Sequence, residues 1–181
     1  MYKKFLAGLV LVFLIGGCAA MMTVEEREKM YGQGVPVITE SFASKQLYPG
    51  DTWNVYLKAS DPEGDMEQIV ATVDLVGSGT HPVSYTKIKD GNRKELSGYV
   101  HLSTWNPSGY GWLTSLTLTL TVQVKDRAGH LSKPVIFPLS FHSRYAQEPP
   151  PSGVFQEQSL GPIMITLRSF HDDGRSGDGF F

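Results

Sequence analysis

The chain has 181 residues with 16 basic and 18 acidic side chains, a formal net charge of −2 and a single cysteine. That length suits one domain of ordinary size with tails. The slightly acidic balance excludes the basic face that nucleic acid requires, and a lone thiol excludes an internal disulfide.

The chain opens with Lys3 and Lys4, then an apolar run over 5–15 that only Gly8 interrupts, and closes that run with Ile15-Gly16-Gly17-Cys18. At ~1.5 Å per residue the run falls short of the roughly 20 residues needed to span a bilayer. A short apolar core behind a basic start reads as a signal peptide. These residues resemble the lipobox of bacterial lipoproteins, in which a cysteine after two small residues is acylated and becomes the first residue once the leader is cleaved. The resemblance implies a signal peptide over 1–17, a covalent diacylglycerol and acyl lipid such as palmitate on Cys18, and a cell envelope location on a lipid anchor. Ala19, where an aspartate would favour retention, resembles the class sorted to the outer membrane if the cell is Gram-negative. The alternative is an ordinary signal peptide cut after Ala19 or Ala20, which leaves a secreted protein without cysteine. Removal of Lys3 and Lys4 with the leader leaves 14 basic against 18 acidic side chains, a net charge of −4.

Residues 18–34 link the anchor to the domain. Thr23 followed by Glu26 is a capping-box pattern, so a short polar helix is expected, marginal by itself. As flexible coil the segment would reach roughly 20–24 Å, holding the domain near the bilayer but free to rotate.

From residue 35 the pattern changes to period two. Trp53, Val55, Leu57 and Ala59 alternate with Thr52, Asn54, Tyr56 and Lys58, which predicts a strand with one buried face. Tyr48-Pro49-Gly50-Asp51 before it is a turn signal. Ile69, Ala71, Val73 and Leu75 repeat the alternation, and strands over 82–89 and 93–103 are expected to form a hairpin about Asp90-Gly91-Asn92. The cleanest alternation sets Leu116, Leu118, Leu120, Val122 and Val124 against Ser115, Thr117, Thr119, Thr121 and Gln123. It marks one covered and one wet face, as antiparallel sheets have. Pro134 and Pro138 confine the last strand, 131–142, to an edge or a bulge.

The segments 35–43, 52–59, 67–76, 82–89, 93–103, 113–125 and 131–142 give seven strands, hence an all-β, seven-stranded antiparallel Ig-like β-sandwich over 35–143. Ala59-Ser60-Asp61-Pro62-Glu63-Gly64-Asp65 and Val124-Lys125-Asp126-Arg127-Ala128-Gly129 resemble loop phrases of bacterial immunoglobulin-like and fibronectin type III-like domains. The antibody signature is missing, since there is no cysteine pair and Trp53 lies on the second strand. Beyond the sandwich, 144–181 reads as a proline-rich linker, a possible extra strand over 162–169 at a sheet edge, and a mostly extended, disordered tail.

Each strand crosses the sandwich, so the connecting loops alternate between its ends. One end gathers Asp61, Glu63, Asp65, Asp90 and Asp126, carboxylates that either cap turns, partly neutralised by Lys89, Lys125 and Arg127, or converge on a Ca²⁺ ion. No other cofactor is signalled. The opposite end gathers Tyr48, His81, Trp105, Tyr110 and Trp112, amphipathic rings suited to a protein partner or a glycan. Tyr110 reads equally as a tyrosine corner and Trp112 as a lid on the core.

The five histidines, His81, His101, His130, His142 and His171, have no paired metal spacing, and no Gly-x-Ser-x-Gly elbow occurs. No catalytic residue is therefore expected. The sequence points to a non-enzymatic envelope lipoprotein whose Ig-like domain is a protein-interaction or structural module, the alternative being a glycan- or peptidoglycan-binding module. Its partners would be the membrane, through the lipid, and another envelope protein or glycan. The first strand starts at the acidic end, so the aromatic end is expected to point away from the anchor.

Overall fold

The computed structural model describes residues 22–76, 79–105 and 117–167. Cys18, Tyr110 and Trp112 lie outside these described residues, as do 168–181 of the expected tail.

Thr23 starts the only α-helix among the described residues, α1 (Val24–Tyr31), and both halves of the capping box are made: Glu26 N–H donates to Thr23 Oγ1 at 3.2 Å and Thr23 N–H to Glu26 Oε2 at 2.8 Å. The strands follow as β1 (Val37–Ala43), β2 (Gln46–Leu47), β3 (Thr52–Ser60), β4 (Met66–Leu75), β5 (Gly79–Thr80), β6 (Ser84–Lys87), β7 (Glu95–Ser103), β8 (Thr117–Asp126), β9 (Val135–Phe141) and β10 (Ser159–Pro162). They form a four-stranded sheet in the order β1-β3-β7-β10, and a second sheet in the order β2-β9-β8-β4-β5 with β6 also paired to β4. The seven expected strands correspond to β1, β3, β4, β6, β7, β8 and β9, and every pairing among these seven is antiparallel. The all-β, Ig-like sandwich is thus what the chain forms.

The apolar face of each alternating strand supplies the core. Trp53, Val55, Leu57 and Ala59 from β3 meet Leu118, Leu120, Val122 and Val124 from β8, with Ile69, Ala71, Val73 and Leu75 from β4. Trp53 is fully buried, and its indole N–H donates to Ser44 O at 2.9 Å, satisfying the one polar group that the ring takes out of water. Pro138 sits in β9, which is bordered on its outer side only by the two-residue parallel strand β2, in keeping with the edge position that its missing N–H demands.

Three expectations are corrected. The hairpin about Asp90 does not form: β6 belongs to the β4 sheet and β7 pairs with β3, so residues 88–94 cross between sheets. Ile88 is buried in that crossing and Asp90–Asn92 is a 3₁₀ turn, which gives the connection its bend. The sandwich also does not end at 143. Residues 147–158 lie over the outer face of the β1-β3-β7 sheet, where Phe155 packs tilted against Tyr56 with ring centroids 5.6 Å apart, Tyr56 Oη donates to Glu157, and Gln156 N–H donates to Ser97 Oγ at 3.0 Å. The extra strand falls earlier than expected and runs parallel to β7, and Leu160, Ile163, Ile165 and Leu167 are buried in the core. Ile163 N–H donates to His101 O at 2.8 Å on one sheet, and Met164 N–H to Ser84 Oγ at 2.8 Å on the other, so this segment closes one side of the sandwich. Finally, the expected tether is docked over its described part, as the acidic end makes clear.

Candidate functional site

The β3–β4 loop begins with Asp61, whose Oδ1 accepts the N–H groups of Gly64 at 2.7 Å and Asp65 at 3.3 Å. Gly64 takes a positive φ of 75°, which makes this tight Asx turn possible without strain. The β8–β9 loop repeats the device: Asp126 Oδ1 accepts Gly129 N–H at 2.6 Å and His130 N–H at 2.7 Å. The two loops are joined by Arg127 N–H, which donates to Asp65 O at 3.2 Å.

This geometry brings Asp61, Asp65 and Asp126 together, with one carboxylate oxygen from each lying within 4.8 Å of the others. All three are buried, Asp61 to 2% exposure, and Asp61 Oδ2 is buried with no hydrogen-bond donor among the described residues. Burial pushes the Asp65 carboxyl up to about 6, helped by its contact with Asp61 and by the negative charge of Asp61 and Asp126. The turn-capping reading is therefore realised by one oxygen each of Asp61 and Asp126; Asp126 Oδ2 lies against His130 Nδ1 at 2.9 Å and Asp65 Oδ2 accepts Arg127 N–H at 3.3 Å, which leaves Asp61 Oδ2 without a donor among the described residues.

Two of the five expected acidic residues do not join. Glu63 faces the N-terminal segment, accepting Gly34 N–H at 3.1 Å, and a Cβ at Gly34 would collide with its carboxylate. Asp90 is exposed and pairs with Arg93 at 2.8 Å, three residues on along the 3₁₀ turn. The neutralisation expected from Lys89, Lys125 and Arg127 is absent: among the described residues no lysine or arginine forms an ion pair with Asp61, Asp65 or Asp126.

His130 was not distinguishable in the sequence from the other scattered histidines. Its Nδ1 lies 2.9 Å from Asp126 Oδ2 and its Nε2 3.2 Å from Glu28 Oε1 on α1. The hydrogen bond to Glu28, reinforced by Asp126, raises the His130 pKa above its usual value. Tyr31 receives the Arg127 guanidinium at 5.6 Å over its ring, and the Arg27 guanidinium covers Gly129. The helix is thus seated on the acidic end, so the segment over 22–34 does not leave the domain free to rotate about it. The partner Glu28 is 102 residues away, beyond the reach of any local pattern.

At the other end Tyr48 and Trp105 are 47% and 58% exposed. Their loops are tied by the buried Thr104, whose Oγ1 donates to Asp51 O at 2.7 Å and accepts Gly50 N–H at 2.9 Å. His81 does not join them. It follows β5, at the opposite edge of its sheet from β2, four strand spacings or roughly 19 Å away. Its Nε2 is buried without a partner among the described residues, and burial lowers its pKa, opposed by Asp74. A third feature was unforeseen: a polar cleft of about 900 Å³ between residues 153–156 and the sheet face, lined by Thr39, Lys58, Ser60, Asn92, Glu95 and Gln156.

No protein-family model matches the chain, and no curated protein matches it. Among solved structures it is similar to the PKD domain of an M14-like peptidase from Thermoplasmatales archaeon SCGC AB-540-F20, with 14% identity over 60% of this chain and 96% of that one and a TM-score of 0.33.

Proposed function

We propose that this chain is a lipid-anchored cell-envelope protein whose Ig-like β-sandwich is a non-catalytic interaction module, attached through Cys18 and presenting Tyr48 and Trp105 to a partner. The observation that carries the interaction surface is that one buried threonine ties together the two loop backbones that carry exposed aromatics. Rings held on hydrogen-bonded loops lose little freedom on binding, and an aromatic with a polar tip contributes large contact area. The seating of α1 on the acidic end supports the orientation. The chain enters the domain there, and the aromatic end lies a strand length away, roughly 30 Å for nine residues.

The partner is expected to be another envelope protein. Exposure of the flat Trp105 ring also suits a sugar face, so a glycan such as peptidoglycan is the second reading. The test is recovery of crosslinked partners from membranes carrying the wild-type chain, Cys18→Ser or Tyr48→Ala/Trp105→Ala, with peptidoglycan sedimentation alongside. Cys18→Ser should leave the membrane fraction and remain folded. The aromatic double variant should lose a discrete crosslinked protein; loss of peptidoglycan binding would instead favour the glycan. A membrane-bound Cys18→Ser variant, or a double variant with an unchanged crosslinking and sedimentation profile, would refute the corresponding half of the proposal.

A further inference from the structure

We infer that Asp61, Asp65 and Asp126 hold one hard divalent cation, calcium, which staples the β3–β4 loop to the β8–β9 loop. Ligand oxygens 2.3–2.6 Å from a common Ca²⁺ stand at most about 5 Å apart, and the candidate atoms of these residues meet that limit, lying within 4.8 Å of one another.

Proximity alone would not make a site. The second observation is the buried Asp61 Oδ2, which has no hydrogen-bond donor among the described residues. The other Asp61 oxygen is committed to the Gly64 and Asp65 amides, so the carboxylate is held in place with one oxygen free. Buried carboxylates require a compensating positive charge or donor. Among the described residues no lysine or arginine forms an ion pair with these groups, and the one ion-pair partner, His130, lies 2.9 Å from Asp126 Oδ2, which leaves Asp61 and Asp65 without a cation. The candidate donors are oxygens on two turns, and among the described residues no sulfur or second imidazole joins the group. This chemistry favours calcium over zinc, and the short irregular loops can supply carbonyls and admit water for the remaining coordination positions more readily than the strict octahedron of magnesium.

The test uses the full chain in detergent, stripped with EGTA and titrated with CaCl₂ by calorimetry and by thermal melting. One saturable site is expected, with a melting temperature roughly 3–8 °C higher at a calcium concentration well above the Kd. Asp61→Asn keeps the Oδ1 acceptor for Gly64 but places a neutral amide at the free position. It should weaken calcium binding at least about tenfold, since one charged ligand is lost, while melting in EGTA no lower than wild type. Asp90→Asn and Glu63→Gln should bind calcium as wild type does. Should Asp61→Asn fail to fold by circular dichroism, Asp65→Asn replaces it with the same expectation. No heat and no melting shift with calcium, a zinc response without a calcium response, or an unchanged calcium response in the Asp61→Asn or Asp65→Asn protein would each overturn the inference.

Discussion

Ile163→Ala tests whether the C-terminal segment is part of the domain or an appendage. Ile163 is 4% exposed, its side chain belongs to the central apolar cluster, and its backbone bonds to β7. Truncation of a buried isoleucine costs about 2–5 kcal/mol, the range reflecting how far the site can collapse. Here β10 lies at the edge of its sheet and is joined to β6 mainly through side chains, so partial collapse is available and about 2–3 kcal/mol is expected. For a domain of this size each kcal/mol moves the melting temperature by about 3 °C, giving a drop of roughly 6–9 °C. The neighbouring Met164 is 75% exposed, and Met164→Ala should change stability by less than about 0.5 kcal/mol. Urea unfolding followed by tryptophan fluorescence, with melting by circular dichroism, compares the two variants. If both behave as wild type, residues 144–167 hang from a sandwich already complete at 143, and the reasoning fails.

Two further outcomes are expected. Thr104→Val keeps the shape of the buried side chain but removes both the bond to Asp51 O and the acceptor for Gly50 N–H, so it should destabilise by about 1–3 kcal/mol and speed amide exchange over 48–51, which hydrogen-exchange mass spectrometry would register; unchanged exchange would show that these loops are not tied through Thr104. Burial lowers the His81 pKa below that of the unfolded chain, so its contribution to stability is present above the ordinary histidine value and is lost as pH falls through the lowered one. An NMR titration should place His81 below the ordinary histidine value, and a value above it would contradict the buried geometry.

Where a pattern is local, the sequence was sufficient. The alternation in β3, β4 and β8 identified strand, buried face and Trp53 as core, because side chains on a strand alternate whatever the neighbours are. The Thr23 and Glu26 capping box was likewise readable, since both partners lie within one turn. Pairing was less accessible. Two strands around Asp90-Gly91-Asn92 carry the composition of a hairpin, but nothing local records that their apolar faces look across the core from opposite sheets.

The acidic end follows the same division. Strand parity alone placed Asp61, Asp65 and Asp126 at one end and Tyr48 and Trp105 at the other, because each crossing reverses the chain. Which carboxylates converge depended on side-chain direction: Asp61 and Asp126 turn inward to cap their own loops, Glu63 turns out to the N-terminal segment and Asp90 pairs with Arg93. The polar helix appeared free in sequence since it has no apolar stripe, and its seating relies on Glu28, Arg27 and Tyr31 meeting a loop about a hundred residues later. The sequence by itself therefore determined the strands, their inward faces and the end to which each loop belongs, all consequences of local stereochemistry and chain reversal. Only the tertiary structure decided that residues 159–167 complete the core, that α1 sits on the acidic loops, and that one buried oxygen of Asp61 has no donor among the described residues, because each of these depends on contacts between segments far apart in the chain.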